Sequence, residues 1–386
     1  ADDAGPRLAD LLLHVPERVD ALRWGLRAVL LAGFAVGGGG LIALAFTVIA
    51  DCIPPREVGK YQGYISAVYA VSSIAGPLLG GYFTEQLSWR WIFWINLPLG
   101  ALALWLVNRN LGHLNVRRRS RFDWKGAGLL ITVTTLSLLL LSPEATLSAI
   151  WLAAGLALAL LLLILVERRA QDPILPAHLA RLPGYLVSVL LALASQLLMF
   201  AVLVYLPLQM QWQKGMGASE SGLYMVIFMV CITAGAFVGG KLIGRTGHYK
   251  RFVVVGFALA ALALWQIHFD LFANLGLGFA GLGLGLVLPA LSVVVQNALP
   301  REDRGIGMSL FNFGRELGGA VGVAICAMLF HGALPAGTSH NLASLSPAEL
   351  APGFSATYVG MALIASAALL ITLLALKRHE LASIPA

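Results

Sequence analysis

The sequence contains few charged residues and very few cysteines. Only 12% of its 386 residues are Asp, Glu, Lys or Arg, against about 25% in an ordinary soluble domain. The cysteines Cys52, Cys231 and Cys326 lie far apart without CxxC spacing, so the sequence supports neither a disulfide framework nor a zinc site. It also contains no phosphate-binding loop and no nucleophile–base pattern. These absences argue against an enzyme, a metalloprotein and an ATP-driven pump.

Long apolar runs take the place of the missing charge. Hydrophobic residues make up 59% of the chain, and the mean hydropathy is +0.82. Runs of about 20 apolar residues are long enough to cross a bilayer as helix, and lipid leaves unpaired backbone groups without partners. The sequence therefore predicts an all-α polytopic transmembrane protein with about eleven spans, at 26–50, 61–83, 92–108, 126–142, 149–166, 185–211, 221–244, 252–272, 274–298, 306–334 and 357–376.

The basic residues alternate with the predicted spans. Connections of one parity, together with the C-terminal tail, contain 18 Lys and Arg residues, whereas the opposite connections contain only Arg90 and Lys214. Because cytoplasmic loops are enriched in Lys and Arg, we expect a multi-pass protein of the cytoplasmic (inner) membrane with a cytoplasmic C-terminus. The net charge of +7 is thus an orientation signal rather than a nucleic-acid interface. Membrane lipid is an expected partner, particularly of the arginine cluster at 117–121.

The segment VSSIAGPLLGGYF combines glycine and proline with an apolar helical pattern. Ser72, Gly76 and Gly80 are four residues apart and share one helix face, with Gly81 beside them. Small residues at this spacing let a second helix approach closely in lipid, and Pro77 bends the helix that contains it. Two interpretations stay open for this helix, a conformational gate and simple tight packing.

The same segment resembles a motif of a known transporter family. GYISAVYAVSSIAGPLLGGYF is similar to the antiporter motif on the fifth span of the major facilitator superfamily: Ser72 replaces the middle glycine of that motif. The matching positions are Gly63, Gly76, Pro77, Gly80 and Gly81. The following LSWRWIFWINLPLG resembles the start of the sixth span in the 14-span drug:proton antiporters of this superfamily.

Further motifs follow in the order expected of that family. LIGRTGHYKR resembles a degenerate second copy of the cytoplasmic-loop motif, with Gly244 where aspartate is usual; Gly240, Arg245, Gly247 and Lys250 match. VVVQNALPREDRGIGMSLFNFGRELGGAVGVA is similar to the region of the twelfth and thirteenth spans. The chain is therefore identified as a member of the 14-span drug:proton antiporter family.

The resemblance has gaps near the N-terminus. Leu31 and Phe34 occupy the positions of an arginine and a glutamine that the family carries on its fourth span, and Arg27 lies one turn earlier. The first three spans have no counterpart, which predicts a truncated antiporter or one whose missing helices come from elsewhere. The expected organisation is an amphipathic segment at 1–25, the rest of an N-terminal bundle at 26–108, a basic loop with two linker spans at 109–184, and a C-terminal bundle at 185–386.

One ionisable pair falls inside a predicted span. Glu316 lies about 15 Å along the span that begins near Ile306, close to the bilayer centre, where ionisable groups are costly and usually functional. Such a carboxylate suits proton binding and release, or contact with a cationic drug. Arg315 matches an arginine common in the family, but its direction differs by about 100°, so the two are not expected to pair. If the span begins near Leu310, both residues would instead lie near the cytoplasmic end.

Several polar side chains are candidates for a substrate path. Each of them could equally make a hydrogen bond between helices. They are Asn96, Gln196, Tyr205, Gln296, Asn297 and Asn312.

The resemblance implies secondary active export of hydrophobic or cationic small molecules in exchange for protons. It implies that the proton gradient drives transport, with no cofactor and no bound metal. It does not say whether a periplasmic adaptor protein is a partner. The alternatives are an exporter of another hydrophobic compound, such as a lipid or siderophore, and a truncated membrane protein that does not transport.

Overall fold

Every regular element that the structure describes is an α-helix. The computed structural model describes residues 90–111, 123–141, 148–170, 173–182, 184–269, 273–300, 303–335 and 345–376, together with Val68, Ser72, Phe83 and Ser88. All of these residues belong to the second of two compact units, Ala1–Cys52 and Ile53–Ala386. The predicted fold class, an all-helical polytopic membrane protein, is confirmed.

Eleven helices make up the described part of the chain. Two of them, α1 and α5, are single turns. The helices are α1 (Trp91–Trp94), α2 (Asn96–Leu111), α3 (Trp124–Leu141), α4 (Ala149–Glu167), α5 (Ala177–Ala180), α6 (Tyr185–Trp212), α7 (Ala218–Thr246), α8 (Tyr249–His268), α9 (Ala273–Ala298), α10 (Arg304–Gly332) and α11 (Pro347–Ala375). Among the described residues, eight helices are long and apolar enough to cross a membrane: α3, α4 and α6 to α11.

Six of these helices, α6 to α11, pack into one bundle. α9 lies between α7 and α8, α6 packs along α10, and α11 contacts α6, α8 and α10. The helices α3 and α4 form a separate pair, which reaches the bundle through contacts between α3 and α10. The buried side chains of the bundle form one apolar core around residues such as Phe228, Phe257 and Tyr358.

Glycines on α9 let its two neighbours approach closely. A Cβ atom at Gly281 would lie 2.7 Å from the Phe228 carbonyl oxygen of α7, and one at Gly283 would lie 2.5 Å from the Gly256 carbonyl oxygen of α8. Real Cβ atoms do not come this close to backbone. Only glycine therefore fits at these two positions, as expected where close packing replaces the hydrophobic effect in lipid.

The helices differ from two of the predicted spans. The span predicted at 92–108 is interrupted, because a turn at Ile95 separates α1 from α2. The span predicted at 252–272 ends as helix at His268, where Phe269 is the capping residue. The neighbouring spans predicted at 252–272 and 274–298 nevertheless correspond to two separate apolar helices, α8 and α9.

The last helix begins well before the span predicted at 357–376. Pro347 is its first residue, and Ser346 caps it: the Ser346 N–H and hydroxyl donate to Glu349 Oε2 at 2.8 and 2.7 Å. Serine at the cap, proline at the first helical position and glutamate two residues later form a helix-start signal. A hydropathy window overlooks this signal because the residues that carry it are polar.

Candidate functional site

The helices α6 and α10 run parallel in constant register. A Cβ atom at Gly314 would lie 3.0 Å from Val189, and one at Gly322 would lie 2.7 Å from the Leu197 Cα. The Tyr185 hydroxyl donates to the Gly307 carbonyl at 2.8 Å near the start of both helices, and the Tyr205 and Phe330 rings lie 6.0 Å apart towards their ends. The face of α10 that contains Gly314 and Gly322 is therefore held against α6 along most of its length.

Glu316 lies on another face of α10. Phe313, Glu316 and Ala320 are exposed at helical spacing and share that face. The helix begins at Arg304, not near Leu310, so Glu316 lies about 18 Å along it, near the middle of its 29 residues. The carboxylate side chain is 53% exposed, which means that it points away from the six-helix bundle.

The structure pairs Glu316 with Arg315. The Arg315 Nη2 atom donates to Glu316 Oε1 at 2.8 Å. The expectation that these neighbours do not pair is thus wrong: the long arginine side chain reaches around the helix and overcomes the difference in direction. Arg315 itself is only 16% exposed, and its Nε is buried without a hydrogen-bond partner. The guanidinium lies partly inside the protein while its partner carboxylate faces outwards.

Three of the predicted path residues are buried amides. Gln196, Gln296 and Asn312 are each less than 9% exposed. The Asn312 amide donates to the Met308 carbonyl of its own helix at 3.0 Å, whereas Gln196 Oε1 and Gln296 Nε2 are buried without partners. No bond between helices is described for these three side chains, so that interpretation gains no support from the described residues.

The other path candidates do not share this environment. Tyr205 is buried in the core of the bundle, while Asn96 and Asn297 are exposed. Gln196 does lie close to α10, since a Cβ atom at Gly319 would be 3.5 Å from its Cγ and 3.1 Å from the Phe200 ring. The structure brings Gln196 to the α6–α10 interface and leaves Asn96 and Asn297 on the outer surface of the described helices.

The residues of the predicted cytoplasmic-loop motif lie in and around the turn between α7 and α8. Gly247 has φ of +68° and caps α7, with its N–H 2.8 Å from the Ile243 carbonyl. Glycine suits this position because a positive φ is costly for other residues. Lys250 Nζ donates to the Leu373 carbonyl in the last turn of α11 at 2.9 Å. Gly240 is buried and Arg245 is exposed.

Most of the glycine–proline motif lies outside the described residues. Ser72 is helical and exposed; Gly63, Gly76, Pro77, Gly80 and Gly81 belong to the part of the chain that the structure leaves undescribed. The two interpretations of that helix, gate and packing, therefore stay predictions. Within the described ranges, no group of three or more His, Cys, Asp or Glu residues could hold a metal ion.

Sequence reasoning missed the glycine stripe of α10 and two contacts that join distant segments. Gly314, Gly318 and Gly322 repeat every four residues, the same signal that drew attention to the helix around Gly76, and the sequence therefore offered a way to find them. The Lys250–Leu373 bond and the His178–Asp303 pair, with Nε2 and Oδ2 at 3.0 Å, join residues more than 120 positions apart. No local pattern indicates such partners.

Comparison with known proteins is consistent with this helical architecture. The chain is 33% identical over 308 residues to an uncharacterized MFS-type transporter of Mycobacterium tuberculosis, covering 76% of this chain and 45% of that protein. It is 32% identical over 302 residues to the multidrug transporter protein MdtP of Bacillus subtilis, covering 75% and 56%. The chain spans about half the length of these curated relatives.

A solved structure shares the fold. The human organic anion transporter MFSD10 (TETRAN) superposes with a TM-score of 0.60 at 17% identity, covering 89% of this chain and 71% of that one. The family profile described as Major Facilitator Superfamily matches residues 23–323, more than half of the sequence. Together with the apolar helices and their packing, this match shows that the chain belongs to the major facilitator superfamily of membrane transporters.

Proposed function

We propose that this chain is a secondary active transporter that exports hydrophobic or cationic compounds in exchange for protons. The membership of a transporter superfamily supports transport itself. Two Bacillus subtilis relatives, MdtP and multidrug resistance protein 3, are named for multidrug transport or resistance, at 32% and 29% identity, and they support the substrate class. Because the chain spans about half the length of such relatives, both substrate and coupling are proposals.

The apolar pair α3 and α4 supports the 14-span subtype within the superfamily. These two helices precede the six-helix bundle and contact it through α3 and α10. A 14-span transporter of this superfamily differs from a 12-span transporter by two additional spans between its two six-helix bundles. We assign 109–184 to these linker spans and their loop, and 185–386 to the C-terminal bundle, in the cytoplasmic membrane with the C-terminus inside.

The observation that carries the coupling mechanism is the Arg315–Glu316 pair near the middle of α10. When Glu316 is ionised, its carboxylate accepts a hydrogen bond from Arg315. Protonation removes that negative charge and weakens the pair. A proton on Glu316 thus changes the local charge balance on a helix whose other face is packed tightly on α6, and we assign the proton-binding step to this carboxylate. A cationic substrate would compete with the proton for the Glu316 carboxylate.

Proton-driven dye efflux tests the proposal. The purified chain in vesicles with an imposed proton gradient is expected to extrude a cationic dye, and Glu316→Gln is expected to abolish the dependence of extrusion on the gradient. Glu349→Gln is the matched control, because Glu349 is also exposed but caps the start of α11. Unchanged coupling in Glu316→Gln would overturn the assignment of the proton site. Absence of efflux from both the wild type and the control would instead support the non-transporting alternative.

A further inference from the structure

The turn of the hairpin formed by α7 and α8 is flanked by cations that have no acidic residue near them in the sequence. No Asp or Glu occurs between Ser221 and Phe269. The cations of this hairpin cluster near its turn: Lys241 and Arg245 near the end of α7, and Lys250 and Arg251 at the start of α8. We call these four residues the basic hairpin tip. The only acidic residue in the sequence of the two helices, Glu220, lies in the first turn of α7, at the opposite end from the tip, so no acidic residue of the hairpin lies beside these cations.

The geometry of the turn holds the four cations together. α7 ends at Thr246 and α8 begins at Tyr249, and Gly247 closes the turn in the left-handed conformation. Lys241 and Arg245 are four residues apart and so share one face of α7. The basic residues of both helices are thereby placed at the same end of the hairpin, within about two helical turns of each other.

One cation of the tip is engaged in the fold and three are not. Lys250 donates to the Leu373 carbonyl of α11. Lys241, Arg245 and Arg251 are exposed, and no ion pair or side-chain hydrogen bond is described for them. Two carboxylates elsewhere in the described chain interact with other groups and not with these cations: Asp303 contacts His178, and Glu167 accepts a hydrogen bond from the Leu175 N–H. The three exposed cations are therefore available to an anion from outside the chain.

An exposed apolar stripe continues from the cations along each helix. On α7, Phe237 and Val238 are 49% and 46% exposed, one turn from Lys241 and Leu242. On α8, Val255 and Leu262 are exposed in line with Arg251 at helical spacing. A surface that joins cations to an apolar stripe matches a molecule with an anionic head and a hydrocarbon tail.

We propose that the basic hairpin tip binds the headgroup of an anionic phospholipid, whose acyl chains extend along the exposed apolar residues of α7 and along those of α8. The phosphodiester meets Lys241, Arg245 and Arg251, while Lys250 holds the turn against α11. A soluble anion would account for the cations but not for the apolar stripe beside them. A further apolar helix would cover the stripe but would leave the three charges without partners. The proposal concerns a lipid site and does not depend on transport.

Lipid binding to the purified chain in detergent tests this directly. Native mass spectrometry is used to measure binding of phosphatidylglycerol and of phosphatidylcholine with the same acyl chains. We expect phosphatidylglycerol to bind more tightly, and Arg245→Gln to weaken its binding about five-fold, the change expected for one cation at a membrane surface. Lys241→Gln combined with Arg245→Gln is expected to weaken it about 25-fold.

Two controls separate this site from general charge effects. Lys214→Gln also removes one cation, but at the opposite end of α7, and is expected to leave phosphatidylglycerol binding unchanged. The charge-conserving change Lys241→Arg with Arg245→Lys keeps both cations and is expected to preserve binding. An equal loss in Lys214→Gln, equal affinity of the two lipids for the wild type, or displacement of phosphatidylglycerol by millimolar inorganic phosphate would each overturn the proposal. The last two outcomes need no variant, so the test holds even if a substitution impairs folding.

Discussion

The ionic contacts of this protein depend on the reach of individual side chains. Glu316 and Arg315 are neighbours on α10 whose backbone directions diverge, yet the arginine spans the difference and forms a 2.8 Å bond. A helical wheel shows only the direction in which each side chain leaves the helix, and not its length, so it does not predict this pair. The flexible length of arginine, rather than sequence spacing, decides the contact.

Lys250 provides a prediction at the same scale. Its ammonium group donates to the Leu373 carbonyl at the C-terminal end of α11, where helix carbonyls lack partners and the helix dipole favours a cation. Lys250→Met is expected to lower the free energy of unfolding by about 1 kcal/mol. The measurement is thermal unfolding in lipid-free detergent, followed by circular dichroism.

The adjacent cation serves as the control for that measurement. Arg251 is exposed and no side-chain bond is described for it, so Arg251→Met is expected to change the unfolding temperature little. Equal destabilisation by the two changes would mean that charge at the turn, and not the bond to α11, matters for stability.

At the scale of helices, glycine sets how closely neighbours approach. Gly318 lies on the face of α10 that packs on α6, and a Cβ atom there would lie 2.8 Å from the Leu193 carbonyl carbon and Cα. These are backbone atoms, so the two helices must separate to accept a methyl group. Gly318→Ala is therefore expected to cost about 1–3 kcal/mol of stability, measured as a lower unfolding temperature.

Gly244 on α7 offers the matched change without the clash. A Cβ atom at Gly244 would meet nothing within 4 Å. Because alanine is the better helix former by about 1 kcal/mol, Gly244→Ala is expected to leave stability unchanged or to raise it. If both alanine variants unfold at the wild-type temperature, the close approach of α6 and α10 does not contribute to stability.

For the whole molecule, the distribution of Lys and Arg predicts which ends of the helices face the cytoplasm. In a background with Cys52, Cys231 and Cys326 replaced, a membrane-impermeant maleimide added outside intact cells is expected to label Lys214→Cys but not Arg245→Cys. The reason is the positive-inside rule: connections on the side of Arg245 hold most of the basic residues. After the membrane is permeabilised, both positions are expected to react.

The reverse labelling pattern would contradict this orientation and with it the cytoplasmic assignment of the C-terminus. Labelling of both positions in intact cells would instead indicate that the chain adopts two orientations. Each single-cysteine variant is first checked for its amount in the membrane fraction, so that a missing signal is not mistaken for protection.

The sequence by itself determined the class of the protein and the existence of most described helices. Lipid offers no partners to backbone groups, so a long apolar run has to be a helix wherever it crosses. Helix ends were less predictable, because they depend on polar signals such as Ser346 and Glu349 that hydropathy does not weigh. The family resemblance also followed from local motifs, and the match over residues 23–323 confirms it at the level of the superfamily.

Only the tertiary structure decided which faces of the helices meet. It placed Glu316 on the face of α10 that points away from the bundle, buried Gln196 against that helix, and joined Lys250 to α11. These features depend on neighbours far away in the sequence, often more than 120 residues, so no local period can specify them. The physical reason is that hydropathy measures only transfer into lipid, whereas partners inside the membrane are selected by close packing and hydrogen bonds.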